Sequence, residues 1–371
     1  MARVLVRRYL DSDRRRLSVT LTAMIPVFDG HNDTLLSYLE TPEKDFFERR
    51  DEGHIDFVRA AQGGLAGGFF AIFPSSPTTP GLERTFKKRD GSTVTPPPAA
   101  ISYTEAVRKT NAMVSLFLRW TADAGGRFRQ VKSAADLEAA LADGVFAGIL
   151  HFEGAEAIDT DLAALDVYYA AGLRSLGIVW SRPNVFGHGV PFAFPSSPDI
   201  APGLTAHGVQ LVKRCNELRI MIDLSHISER GFWDVAELSS APLVATHSNA
   251  HAICASSRNL SDQQLAAVHD SGGVVGLNYN VGFLAPDGSS DPDLPLSVMV
   301  EHVDHLVGKL GIDGVALGSD FDGATMPSEL SDVSKLQNLI TALGAAGYSQ
   351  DDLEKIAYRN WLRVLRETWG A

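Results

Sequence analysis

The sequence contains too few cysteines for a disulfide framework and no apolar run that could span a membrane. Cys215 and Cys254 are its two cysteines, so a reducing compartment is the default and we expect a cytoplasmic protein. No apolar run approaches the roughly 18 residues that a membrane span needs. Residues 1–24 also lack the continuous apolar segment of a secretory signal. We therefore predict neither a membrane span nor secretion.

An excess of positive charge is also missing. The chain of 371 residues has 33 Lys and Arg against 45 Asp and Glu, which gives a net charge of −12. Nucleic acids are bound by clustered Lys and Arg, so we expect no nucleic-acid partner. The hydrophobic content of 45% and the charged content of 21% are ordinary for a globular enzyme. We predict a poorly ordered extension over residues 1–24 and a single domain over residues 25–371.

Eight short runs rich in β-branched and aromatic residues recur after residue 24, and amphipathic segments lie between them. Most of the runs are continuously apolar, as in parallel strands that are buried on both faces. They span residues 25–28, 68–73, 145–152, 173–180, 220–224, 243–246, 273–279 and 314–318. Four amphipathic segments follow a serine that can cap a helix: Ser102, Ser228, Ser261 and Ser349. Strands that alternate with helices predict an α/β fold, and eight of them predict a (β/α)8 TIM barrel.

Two connections in this pattern are unusually long. Residues 74–101 contain six prolines and residues 181–203 contain five. They follow the second and fourth predicted strands, so both belong to the barrel face where active sites are built. Disordered surface insertions are one interpretation. We favour the other, in which the two loops wall a substrate pocket.

Metal-ligand side chains follow five of the predicted strands. In His31-Asn32-Asp33, the residues i and i+2 of an extended chain point to the same face, so His31 and Asp33 converge. The other strand ends carry Glu153, His226, His247 and Asp320. Any one of these is more often a buried structural group, but several carboxylates together are costly to desolvate unless cations compensate them. Imidazole and carboxylate suit zinc, and two ions fit the six groups better than one.

These segments together resemble the membrane (renal) dipeptidases, peptidase family M19, from about residue 25 to the C-terminus. The matching motifs are Phe28-Asp29-Gly30-His31-Asn32-Asp33, Glu153-Gly154, Asp223-Leu224-Ser225-His226-Ile227-Ser228, the stretch from His247-Ser248 to Arg258-Asn259, and Gly318-Ser319-Asp320-Phe321-Asp322-Gly323. The resemblance implies an amidohydrolase-type barrel with two zinc ions per chain.

The resemblance also implies a role for each ligand. His31 and Asp33 would bind one zinc ion, His226 and His247 would bind the other, and Glu153 would bridge the two. Asp320 would complete the set beside the first zinc ion and act as the proton shuttle.

The substrate that the resemblance implies is a dipeptide with a free C-terminal carboxylate, including dipeptides with a D-residue at that position. Arg258 matches the family position that holds this carboxylate, and a guanidinium fork suits a planar carboxylate. An ordinary salt bridge is the alternative for Arg258. Alternative functions are another metallohydrolase acting on cyclic amides, lactones or phosphoesters, and a barrel that binds without catalysis. Members of the family are often dimers, so a homodimer is possible.

One position departs from the family pattern. In the mammalian enzymes the fourth strand ends with a histidine that helps polarise the substrate carbonyl, and the matching residue here is Trp180. Tryptophan cannot transfer a proton, so His188 in the following loop, His151 on the third strand, or no residue replaces that histidine. We favour a buried supporting role for His151.

Three further residues receive weaker predictions from their position alone. Tyr279 and Asn280 follow the seventh strand and are expected to line the substrate pocket. His302 lies among acidic residues on an amphipathic segment, and we predict that it is solvated.

Overall fold

Eight parallel strands form a nearly closed barrel in the computed structural model, which describes residues 24–76, 85–88 and 91–370. Within those ranges the strands are β1 (Val27–Asn32), β2 (Leu65–Ile72), β3 (Phe86–Lys87), β4 (Thr93–Thr95), β5 (Phe128–Gln130), β6 (Phe146–Glu153), β7 (Leu173–Gly177), β8 (Phe192–Phe194), β9 (Met221–Asp223), β10 (Val244–Ala245), β11 (Val274–Leu277) and β12 (Val315–Leu317). The barrel order is β1-β2-β6-β7-β9-β10-β11-β12, and β5 pairs with β6 beside it. The eight predicted strands and the barrel are thus confirmed.

Helices follow the barrel strands as expected for this fold. The α-helices of the described ranges are α1 (Thr34–Glu40), α2 (Phe57–Gly63), α3 (Tyr103–Asp123), α4 (Ala134–Asp143), α5 (Ala163–Ala171), α6 (Ala206–Leu218), α7 (Glu229–Leu238), α8 (Asp262–Asp270), α9 (Val281–Leu284), α10 (Leu296–Leu310), α11 (Leu336–Ala345), α12 (Gln350–Glu354) and α13 (Asn360–Trp369). The four predicted capping serines each accept the N–H three residues further along. None of the helices in these ranges is long and apolar enough to cross a membrane. The predicted extension over residues 1–24 lies outside the described residues except for Met24.

The first and last barrel strands meet through the residues that follow them. The backbone N–H of Asp33 donates to the carbonyl oxygen of Phe321 at 2.8 Å, and the N–H of Asp320 donates to the carbonyl oxygen of His31 at 3.0 Å. Below these bonds, the carboxylate of Asp29 accepts the N–H of Ser319 at 2.6 Å. The barrel is therefore closed at the end where the predicted ligands lie.

An aromatic side chain from the last helix fills the interior of the barrel. Trp361 is fully buried and packs against Phe69, with ring centroids 5.2 Å apart. Its indole N–H donates to the carbonyl oxygen of Leu317 at 3.0 Å. A Cβ atom at Gly30 would overlap the Trp361 ring, which explains the glycine beside the predicted ligand His31. The predicted ligands therefore rest on a packed floor.

The two long connections build a small sheet at the mouth of the barrel. Strands β3 and β4 come from the connection after β2, and β8 comes from the connection after β7. The three strands are antiparallel in the order β3-β4-β8, with Val94 opposite Ala193. Residues of both connections line the cavity described below. The prediction that these loops wall a pocket is supported for the residues that the structure describes.

The prediction that His302 is solvated is wrong. His302 is fully buried on the inner face of α10. Its Nδ1 accepts the N–H of Ala250 at 3.2 Å, and its Nε2 lies 3.0 Å from the carbonyl oxygen of Leu284. Both ring nitrogens thus find backbone partners from loops distant in sequence, which a helical hydrophobicity pattern does not reveal.

We expect His302 to make the fold less stable as the pH falls. Burial lowers the pKa of His302 to about 4, whereas an unfolded histidine has a pKa of about 6.5. Between these values the unfolded chain binds a proton that the folded chain does not, so the free energy of unfolding decreases as the pH drops. The loss reaches roughly 3 kcal/mol at about pH 4. Denaturant unfolding of metal-free protein at several pH values measures this loss.

The variant His302→Gln is the comparison for this measurement because glutamine keeps one acceptor and one donor without titrating. Its stability should depend less on pH than that of the wild type. Parallel pH profiles of the two proteins would contradict the prediction.

Candidate metal centre

The six predicted ligands lie at the same end of the barrel, each at or just after the end of a strand. The structure thereby places together, with at most 9% of each residue exposed, His31, Asp33, Glu153, His226, His247 and Asp320. Five of them form two of the three candidate ligand groups among the described residues, and the ligand atoms within a group lie within 4.8 Å of one another. The third group joins His31 and His247 to Asp223, whose oxygens already accept hydrogen bonds from Ser225 and Thr246. Asp320 belongs to none of these groups but lines the same cavity.

Glu153 is the residue that the two groups share. Its Oε1 lies 3.1 Å from Nε2 of His226 and 3.8 Å from Nε2 of His247. Its Oε2 lies 3.7 Å from Nε2 of His31, and the same nitrogen lies 3.7 Å from Oδ2 of Asp33. Glu153 therefore presents one carboxylate oxygen to each group, which is the arrangement of a bridging ligand.

The chemistry of this donor set fits divalent metal ions. Both ring nitrogens of His31 and Oδ1 of Asp33 are buried without a hydrogen-bond partner among the described residues. Buried polar atoms are almost always paired, and a bound ion is one explanation for exceptions. Imidazole nitrogen and carboxylate oxygen at such distances are the ligands that zinc prefers. The residues of both groups thus fit a metal ion.

The electrostatics of the metal-free site are those of crowded carboxylates. Burial raises the pKa of Glu153 well above its usual value. Burial by itself lowers the pKa of His31, but the charges of Glu153 and Asp33 outweigh it and raise that pKa to about 10. Without metal, a proton on His31 partly compensates the carboxylates. A cation bound between them would take the place of that proton.

Hydroxyl groups behind His226 and His247 orient the two rings. Nδ1 of His247 lies 2.8 Å from Oγ1 of Thr246, which donates its own proton to Asp223 at 2.6 Å. The hydroxyl therefore accepts from Nδ1–H, which leaves the lone pair of the His247 ring on Nε2. That nitrogen lies 3.1 Å from Nε2 of His226 and 3.8 Å from Oε1 of Glu153. Nδ1 of His226 lies 2.8 Å from Oγ of Ser181. Burial, above all, lowers the pKa of both histidines well below the usual value, which keeps them neutral as metal ligands require.

Three non-glycine residues at the mouth adopt left-handed backbone conformations. The φ angles are 65° at His226, 61° at Asp320 and 67° at Asp322. Such conformations cost free energy for residues other than glycine and cluster at functional sites. Here they turn the chain sharply just after β9 and β12, and all three residues line the cavity described below.

Asp320 and Asp322 have different surroundings although both line the cavity. Oδ2 of Asp320 accepts the side-chain N–H of Asn278 at 2.9 Å, and burial raises the pKa of Asp320. Asp322 accepts from the backbone N–H of His54 and from the hydroxyl of Thr34. Asp322 thus orders the loop after β12, and Asp320 keeps one oxygen free of protein donors among the described residues.

Arg258 is buried directly behind the metal centre. Its Nε lies 3.1 Å from Nδ1 of His226, and its two terminal nitrogens donate to Oγ of Ser248 and the carbonyl oxygen of His247. No carboxylate of the described residues lies within ion-pair distance of it. It is 3% exposed, and burial lowers its pKa to about 10. Arg258 is thus a buried cation without an anionic partner, and it does not take part in the ordinary salt bridge that was its alternative.

A cavity of about 480 Å³ opens above the metal centre. Of the residues predicted to bind substrate, Trp180 and Asn280 line it, and Arg258, His188 and Tyr279 do not. Nδ1 of His188 lies 3.1 Å from the carbonyl oxygen of Gly203, within its own loop. Tyr279 is fully buried below the cavity. A position after a strand end does not fix the direction of a side chain, so the sequence could not distinguish His188 and Tyr279 from Asn280.

His151 lies deeper in the barrel, as expected for a supporting residue. Its Nδ1 is 2.8 Å from Oγ of Ser175, and its ring packs edge-on against His31 with centroids 5.4 Å apart. Other supporting residues and the aromatic walls of the cavity could not be predicted from the sequence, because they carry no ligand-like signal: Ser181, Thr246, Asn278, Phe73, Phe192 and Phe283. Asp223, which accepts the hydroxyl proton of Thr246, is the exception, because it lies in one of the matching motifs.

Comparison with known proteins places this architecture in a family. The sequence model of the membrane dipeptidases, peptidase family M19, matches residues 15–370. A metallo peptidase from Rhodobacter sphaeroides, solved with a phosphinate mimic of the dipeptide L-Ala-D-Ala, is 47% identical and superimposes with a TM-score of 0.90 over 93% of this chain and all of its own. The solved dipeptidase AC, a metallo peptidase of family M19, is 48% identical with a TM-score of 0.88 over 94% of this chain and all of its own.

A curated relative agrees with the solved structures. Dipeptidase tcpJ from Claviceps purpurea is 27% identical over 367 residues, which cover 96% of this chain and 80% of that protein. The resemblance that the strand-end motifs indicated is thereby confirmed over nearly the whole chain. The chain belongs to the membrane dipeptidase family, peptidase family M19, and is a metallo-dipeptidase.

Proposed function

We propose that the protein is a binuclear zinc dipeptidase that hydrolyses dipeptides with a free C-terminal carboxylate, including those with a D-residue at that position. The observation that carries the proposal is the pair of three-residue ligand groups that share Glu153 at the base of the cavity. One zinc ion would be held by His31, Asp33 and Glu153, and the other by Glu153, His226 and His247. When bound, two such ions supply Lewis acidity toward the amide carbonyl and make water a stronger acid.

Asp320 is the candidate for proton transfer in this reaction. It lines the cavity beside both ligand groups, and Asn278 holds one of its oxygens. The other oxygen is available to accept a proton from the attacking water and to deliver it to the leaving amine. The raised pKa of Asp320, which burial causes, brings its proton affinity closer to that of a group that works near neutral pH.

Arg258 is the candidate for binding the substrate carboxylate. A buried guanidinium without an anionic partner is costly, and a carboxylate entering between His226 and Phe283 would supply that partner. Phe283 lines the cavity and lies 5.8 Å from Cζ of Arg258. Tolerance for a C-terminal D-residue is supported by the Rhodobacter sphaeroides relative, whose ligand mimics L-Ala-D-Ala.

A library of L-L, L-D and D-D dipeptides tests the proposed function directly. Protein loaded with zinc should hydrolyse some of them, and elemental analysis should find about two zinc ions per chain. N-acetylated and C-amidated versions of the best substrate separate the role of each terminus. Turnover of lactones or phosphoesters without turnover of any dipeptide would overturn the proposal in favour of the alternative metallohydrolase.

Replacing Arg258 with alanine should raise KM more than it lowers kcat. Charge-assisted bidentate contacts are among the stronger hydrogen bonds, so we expect KM for dipeptides to rise by on the order of 10²-fold. For the C-amidated dipeptide, which lacks the carboxylate, KM should rise much less. Steady-state kinetics on both substrates measure the difference.

The variant Arg258→Lys is the matched control because it keeps the charge and loses the fork. Its KM for dipeptides should lie between those of the wild type and the alanine variant. Equal losses on the free and the amidated dipeptide would contradict the assignment and leave Arg258 as a support for His226.

A further inference from the structure

A buried ion pair beside the metal centre, Glu156–Arg182, joins three segments at the mouth of the barrel. Nε of Arg182 donates to Oε1 of Glu156 at 2.8 Å, and neither side chain is more than 2% exposed. The terminal nitrogens of Arg182 donate to Oγ of Ser76 at 2.9 Å and to the carbonyl oxygen of Pro74 at 2.8 Å. The guanidinium therefore connects the segments after β2 and β6 to the loop after β7.

Stability alone does not account for this pair. Burying a carboxylate and a guanidinium costs several kcal/mol for each ion, and a buried pair often adds no net stability. Oε2 of Glu156 has no hydrogen-bond partner among the described residues. The backbone also makes room for the carboxylate: Gly154 has a φ of 101°, and a Cβ atom there would overlap Glu156. An ion pair that costs free energy to bury and lacks one hydrogen bond is better explained by the side chains that it positions.

The side chains that the pair positions form one wall of the cavity. Cζ of Arg182 lies 5.2 Å from the ring centroid of Phe73 and 5.7 Å from that of Trp180. The Phe73 and Trp180 rings are 5.0 Å apart, and Phe192 lies 5.7 Å from Trp180. All three aromatic residues line the cavity. The guanidinium thus supports an apolar surface from behind.

The wall lies on the side of the cavity where the substrate carboxylate is expected. Trp180 and Phe192 lie 5.7 Å and 6.1 Å from the ring of His226, and Arg258 contacts the same histidine from behind. If Arg258 holds the carboxylate, the side chain on the adjoining carbon faces this wall. The amino-terminal residue is then on the far side of the scissile bond.

We propose that Glu156 and Arg182 are positioning residues that hold Phe73 and Trp180 as the binding surface for an apolar side chain on the C-terminal residue of the dipeptide. The inference rests on the proposed dipeptidase function. It gives Trp180, which cannot transfer a proton, a role as a wall residue of the cavity.

Kinetics of Arg182→Lys and Glu156→Gln on two dipeptide series test the proposal. One series varies the C-terminal residue from glycine to leucine and phenylalanine, and the other varies the amino-terminal residue. For bulky C-terminal residues we expect kcat/KM to fall about tenfold or more, mainly through KM, because apolar contacts of this size are worth about 10- to 200-fold. For C-terminal glycine the change should stay below about threefold.

The matched control is Arg174→Lys at the opposite end of β7. Like Arg182, Arg174 donates three hydrogen bonds, in its case to the carbonyl oxygens of Lys132, Tyr169 and Leu173, but it lies far from the mouth. The Arg174→Lys variant should leave kcat/KM unchanged for both dipeptide series. Zinc content and the melting temperature of each variant separate a positioning effect from loss of the fold.

A second readout does not depend on catalysis. Acrylamide quenching of Trp180, obtained as the difference between each variant and the same variant carrying Trp180→Phe, should increase in Arg182→Lys because the indole loses its support. Uniform losses across both series, losses confined to the amino-terminal series, or unchanged quenching would each overturn the proposal. If the wild type hydrolyses no dipeptide, the proposed function fails, and quenching still decides whether Arg182 positions Trp180.

Discussion

Replacing Glu153 with glutamine should abolish activity and lower the bound metal from about two ions per chain to one or none. Glu153 is the shared member of the two ligand groups, with one oxygen toward His226 and His247 and the other toward His31. An amide offers one neutral oxygen in place of two anionic ones and cannot serve both groups. Because Lewis acidity contributes several kcal/mol to such hydrolyses, kcat/KM should fall by on the order of 10³-fold or more.

The same substitution should leave the metal-free fold intact. Burial raises the pKa of Glu153 well above its usual value, which means that the carboxylate is destabilising until a cation compensates it. The metal-free variant should therefore unfold at a temperature equal to or above that of metal-free wild type. Zinc should raise the unfolding temperature of the wild type but not that of the variant. Calorimetry with and without zinc measures both effects.

The control for Glu153 is Asp262→Asn, which removes a carboxylate paired with His305 and Lys309 away from the barrel mouth. It should keep both metal content and activity. Two tightly bound ions and near-normal activity in Glu153→Gln would contradict the bridging role.

Replacing Asp320 with asparagine should lower kcat by about 10²- to 10⁴-fold, the usual contribution of general acid–base catalysis. Asparagine preserves the size of the side chain but cannot accept the proton of the attacking water. Asp320 belongs to neither three-residue ligand group, so we expect the bound metal and KM to change little. Steady-state kinetics together with elemental analysis separate the two properties.

Asp322→Asn is a close control for Asp320 because Asp322 lies two residues away, also has a left-handed φ and also lines the cavity. Its oxygens are occupied by His54 and Thr34, so kcat should change less than about tenfold. If Asp320→Asn instead releases metal in proportion to the lost activity, Asp320 acts as a ligand and the proton shuttle must be another group.

The sequence was most informative where backbone geometry alone brings residues together. Parallel strands in a barrel all end on one face, so ligand-type residues after five apolar runs had to converge. This held for His31 and Glu153, which are separated by more than one hundred residues. The capping serines were equally predictable because a cap depends on neighbours within three residues.

Side-chain direction was much less predictable. Tyr279 and Asn280 are adjacent, yet Asn280 lines the cavity and Tyr279 is buried beneath it. His302 looked solvated because its two backbone partners come from loops that a helical pattern does not include. The Glu156–Arg182 pair was also invisible in the sequence, since its partners Pro74 and Ser76 lie more than one hundred residues before Arg182.

The contacts between the first strand and the last segments bear on how the protein is made. Gly30 packs against Trp361, and Asp29 binds Ser319 across 290 residues. Such distant pairings form late, because loop closure must precede them. During translation the ribosome therefore has to release almost the entire polypeptide before the barrel can close around His31. A nascent chain halted short of the final helix would carry the ligand residues without the floor on which they rest.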